Sequence, residues 1–73
     1  MIKINWDEYK EHKKYSHRKD NFETLMEFMK SFYNIHSPAE MFNIFVEDEI
    51  ASMMLKKRNI SDAEGLENYL FKL

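Results

Sequence analysis

The stretch SPAEMFNIFVEDEIASMMLKKR, residues 37–58, decides the fold. It opens with the Ser37 hydroxyl at an N-cap and Pro38 at the first helical position, where a missing N–H costs nothing. Glu40 follows three residues after the cap, able to reach back to it. Neither glycine nor a second proline interrupts the apolar residues before the basic run Lys56-Lys57-Arg58, so the pattern predicts one long helix over 38–58. On a wheel of about 100° per residue, Phe42, Phe45, Val46, Ile50 and Met53 make a broad apolar face. Met41, Ile44, Ala51 and Leu55 make a second, and the polar gaps between the two are narrow. A helix apolar on nearly all sides is either wrapped by its neighbours or shares one side with another molecule.

Working outward, Ser61-Asp62-Ala63-Glu64 repeats the cap logic, Asn5-Trp6-Asp7-Glu8 is a third instance, and Asp20 or Asn21 opens a fourth helix. In that last one Phe22, Leu25, Met26, Met29, Phe32 and Tyr33 recur at three and four. The predicted helices run over about 6–17, 21–34, 38–58 and 62–72. Short connections at Asn34–Ser37 and Asn59–Ser61 fold each helix back on its neighbour. Met1–Ile4 alternates apolar and polar but has no strand to pair with. The expected fold is all-α, a compact bundle of three or four helices with a long central third helix, in a single domain covering residues 1–73. The first helix offers that centre only Trp6, Tyr9 and Tyr15. The last offers mainly Ala63, Leu66, Tyr69, Leu70 and Leu73.

Seventy-three residues are too few for a second domain. Surface scaling for a chain of this mass gives about 4,800 Å² when folded, which means a thin core. With no cysteine, neither disulfides nor thiolate zinc sites support it. At 44% apolar and 33% charged, with eleven aromatic residues, the composition is that of a folding chain. No apolar run is long enough to span a membrane and no signal-peptide pattern opens the chain, so a cytoplasmic setting is the expectation. Nine of eleven basic residues are lysine, and Ile and Asn number six each against three Ala, the usage that AT-rich coding produces in low-GC bacteria and their phages.

Charge divides unevenly. Residues 1–20 hold six basic and four acidic side chains, net +2, and residues 21–73 hold five and nine, net −4. Lys10, Lys13, Lys14, Arg18 and Lys19, interleaved with Tyr9 and Tyr15, are what phosphate contact and base stacking require. The same cations near a helix C-terminus also complement its dipole, and the pI of 5.9 is low for a nucleic-acid binder. A helix-turn-helix over the second and third helices has the right turn length. Its reading helix, however, would lead with Glu40, Asn43, Glu47, Asp48 and Glu49, which meet phosphates with repulsion. Glu49 falls between Phe42 and Phe45 on the wheel and needs a partner or a way out to water. Glu8 and His12 share a helical face, but His17 lies nearly opposite and His36 in a turn, so no metal and no cofactor is expected.

Enzymatic readings fare worse. There is no cysteine nucleophile, Gly65 alone cannot build a phosphate-cradling loop, and Ser37 and Ser61 serve as caps. Elimination leaves a non-enzymatic protein-interaction module, an adaptor or inhibitor of the kind phages and mobile elements encode, binding a partner protein or a second copy of itself as a homodimer. Its expected docking patch is Met41, Ile44, Ala51 and Leu55, with Glu47 and Asp48 at the rim. The alternative is a nucleic-acid-binding regulator that uses Lys10, Lys13, Lys14, Arg18 and Lys19.

Overall fold

The computed structural model describes residues 2–71. It is all-α, with five helices among the described residues: α1 (Trp6–Lys14), α2 (Asn21–Phe32), α3 (Pro38–Glu47), α4 (Glu49–Lys57) and α5 (Ala63–Leu70). The predicted position of Leu73 on the last helix lies outside those residues.

The long third helix does not exist. At Asp48 the backbone turns extended, with φ −100° and ψ 129°, and the rod becomes two helices. The cause is local: the Asp48 carboxylate accepts from the Ile50 and Ala51 N–H groups, both at 2.9 Å, and so caps α4 as Ser37 caps α3. Its other oxygen accepts from the Trp6 indole Nε1 at 3.0 Å, which ties the break to the start of α1. One further cap shifts by a residue. Asp62, not Ser61, caps α5 and accepts from Gly65 N at 2.8 Å.

The other helix ends follow from caps as well. Asn5 accepts from Asp7 and Glu8 N–H groups at the start of α1, and Asp20 accepts from Phe22 N at the start of α2. Behind α2 and α4, Asn34 and Asn59 each take φ 57°, the left-handed conformation that asparagine tolerates better than other non-glycine residues. After α4, Ile60 N donates to Leu55 O and Asn59 N to Lys56 O, a Schellman end. α1 stops at Lys14, short of the predicted 17, because Ser16 turns the chain and accepts from Arg18 N.

α3 packs on α5 and α4, α1 on α2, and α2 on α5. Phe22, Leu25, Met26, Phe28, Met29, Met41, Phe45 and Leu66 are fully enclosed. Phe22 meets Phe45 and Tyr69 edge-on at 5.6 and 5.4 Å, and Tyr9 meets Trp6 and Phe28 at 5.2 and 5.9 Å. The segment before α1 finds a partner that is not a strand. The Tyr33 hydroxyl accepts from Asn5 N and donates to Lys3 O, holding Ile4 in the core.

Candidate functional site

The apolar face read as the docking side is the one the fold buries. Met41, Ile44, Ala51 and Leu55, expected at the surface, are core side chains at 0, 4, 0 and 4% exposure. Each helix buries side chains at three- and four-residue spacing, Met41, Ile44 and Phe45 on α3 and Ala51 and Leu55 on α4, and the two stripes join in one core. The apolar residues left open on this arm are Val46, Ile50 and Met53, at 51, 48 and 57%. Glu49 has its way out to water, being exposed beside the exposed Glu47. Asp48 is half-buried under Trp6. Ile44, Glu47, Asp48 and Glu49 together form one wall of a cleft of about 670 Å³, and Ile2, Lys3 and Ile4 form the other.

Lys10, Lys13 and Lys14 stand at three- and four-residue spacing on α1. Lys10, Lys13, Lys14 and Lys19 are exposed, and the Lys14 ammonium lies 3.0 Å from Glu11. Arg18 turns inward instead, its Nε donating to Glu27 Oε2 at 3.2 Å. The other oxygen of Glu27 receives the Ser16 hydroxyl at 3.1 Å and His12 Nε2 at 3.0 Å. An ionised carboxylate only accepts, so His12 Nε2 carries the hydrogen in this pair. Partial burial pushes the Glu27 carboxyl up. The hydrogen bonds from His12, Ser16 and Arg18 and the Arg18 charge outweigh that and hold it below the usual carboxylate value. This cluster closes the loop after α1 onto α2. His36 lies beside Asn34 at 2.9 Å, and no group of three metal-ligating side chains forms among the described residues.

A second surface sits where the ends of α1 and α2 meet. Tyr15 is 81% exposed and Phe32 51% exposed, and both line one shallow cleft of about 270 Å³ with Glu8, Glu11, His12, Phe28 and Ser31. Phe32 stacks on the buried Phe28 at 5.0 Å with 18° between the rings, and His12 tilts on Phe28 at 5.5 Å. Tyr33 also meets the Phe32 ring at 4.9 Å and 85°, so the open surface of Phe32 is the side away from Phe28 and Tyr33. Helical spacing placed Phe32 in the core stripe. It escapes because α2 ends at Phe32, and Tyr33 takes the inner position, edge-on to Phe28 at 5.5 Å. Tyr15 was legible only as a neighbour of Lys14 and Arg18, since nothing in its spacing brings α2 to it.

Comparison with protein-family models, with curated proteins and with solved structures gives no match to this chain.

Proposed function

We propose that the chain is a small non-enzymatic protein-interaction module, an adaptor or inhibitor that docks a partner protein on the surface where α1 meets α2. One observation carries the reading: two large aromatic side chains, Tyr15 and Phe32, are exposed in the same cleft over a buried Phe28 floor. Aromatic anchors set on rigid elements are the groups that supply most of the free energy at protein interfaces. Their neighbours favour protein over nucleic acid. Glu8 and Glu11 line the cleft and repel phosphate, while Arg18 is engaged with Glu27. Glu40, Asn43, Glu47 and Glu49 are exposed along α3 and the start of α4, where a DNA-reading helix would need cations.

The test is affinity capture from bacterial lysate, with and without nuclease treatment, on the immobilised chain, side by side with Tyr15→Glu and with the pair Lys10→Glu and Lys13→Glu. A protein retained by the wild type, lost at least about tenfold with Tyr15→Glu and kept by the lysine pair is the expected result. Tyr15 is so exposed that its replacement leaves the far-UV spectrum unchanged. Retention that disappears with the lysine pair or with nuclease treatment instead favours the nucleic-acid regulator.

A further inference from the structure

We propose that the cleft between the ends of α1 and α2 receives an arginine side chain of the partner, its charge set against the Tyr15 and Phe32 rings and its donors on the Glu8 and Glu11 carboxylates. This rests on the protein-docking reading and names what that surface recognises.

The chemistry of the lining selects the occupant. An apolar side chain would cover the two rings but strip water from two carboxylates without replacing it. An anion would meet Glu8 and Glu11 with repulsion. A cation satisfies both halves of the lining, because aromatic faces attract positive charge through their quadrupole and carboxylates accept its hydrogen bonds. A volume of about 270 Å³ suits one long side chain rather than a small-molecule ligand. Between the two cationic residues, arginine fits better, since its planar guanidinium stacks on rings and offers a fork of donors to carboxylates. The rim already accepts such a group from its own chain. The Lys14 ammonium lies 3.0 Å from Glu11, and both side chains are more than half exposed, so a partner cation displaces it at little cost. Phe32 is half exposed, with Phe28 stacked on one face and Tyr33 perpendicular to it at 4.9 Å, so the side of the ring away from both is open to a partner.

The experiment titrates the full chain with acetyl-Gly-Leu-Arg-Leu-Gly-amide and with its twin carrying citrulline, which keeps the shape of arginine without the charge. The ring resonances of Tyr15 and Phe32 are followed by NMR. The arginine peptide is expected to shift both rings saturably, and the citrulline twin to bind about tenfold more weakly. The pair Glu8→Gln and Glu11→Gln should weaken the arginine peptide about fivefold. Glu64→Gln with Glu67→Gln, the same change in net charge at exposed positions on α5, should leave it unchanged. Equal affinity for the two peptides overturns the choice of a cation and leaves the docking reading standing. Equal weakening by the α5 pair reduces the effect to net charge and also overturns the proposal. If neither peptide moves the Tyr15 and Phe32 signals, the cleft is not an arginine site, and the Tyr15→Glu capture result decides the docking reading by itself.

Discussion

The Glu27 carboxylate accepts from His12, Ser16 and Arg18, three side chains at the end of α1 and in the loop behind it. Burial alone would raise its proton affinity, but the three donors and the Arg18 charge lower it overall. A carboxyl with a depressed native pKa contributes stability above its unfolded value and loses it as pH falls through the native one. The chain should therefore lose stability from about pH 4.5 downward, the ordinary value for glutamate. Glu27→Gln should lose less over the same range. The substitution itself should cost about 1 kcal/mol at neutral pH, a small figure because the carboxylate is a third exposed and screened by solvent. Urea denaturation of both proteins at neutral and acid pH measures this, and parallel pH curves would contradict it. None of the cluster was legible in the sequence. Arg18 read as one more member of a cationic run, and only the fold of the loop onto α2 brings Glu27 to it.

The break between α3 and α4 belongs to the scale of the element. Asp48 caps α4 through two N–H groups and holds the Trp6 indole, so Asp48→Ala removes three hydrogen bonds at once. The expected loss is about 1–3 kcal/mol in urea, with a change in the emission of Trp6, the chain's one tryptophan. Asp48→Asn keeps a good cap and should recover most of the loss. A loss below about 0.3 kcal/mol would mean that something other than this cap sets the break. The element was half legible. Ser37-Pro38-Ala39-Glu40 announces α3 unmistakably, whereas Asp48 stands between Glu47 and Glu49 and reads as part of an acidic solvent edge. An aspartate can cap a helix or ride on its surface, and the choice depends on whether a partner such as Trp6 waits at the turn.

Over the whole molecule, the chain covers its own core. Its radius of gyration of 11.1 Å matches the roughly 11 Å expected of a compact domain of this length. Its surface of 4979 Å² is close to the roughly 4,800 Å² expected at this mass. With Met41, Phe45 and Ala51 fully enclosed and Ile44 and Leu55 nearly so, the face expected to dock a partner or a second copy lies in the core, and Val46, Ile50 and Met53 are the apolar side chains of this arm at the surface. Equilibrium sedimentation at low micromolar concentration should give a single 9.0 kDa species, and a species of twice that mass would contradict it. The helical class, four of the five helix starts and most of the core residues on α2 were determined by the sequence alone, because caps and three-four spacing are local chemistry. Which faces of α3 and α4 are buried, and the meeting of Tyr15 with Phe32, were decided only by the tertiary structure. Both depend on which neighbour packs against each helix. Spacing names the apolar faces of a helix, but two such faces leave the choice of the buried one to the elements around it.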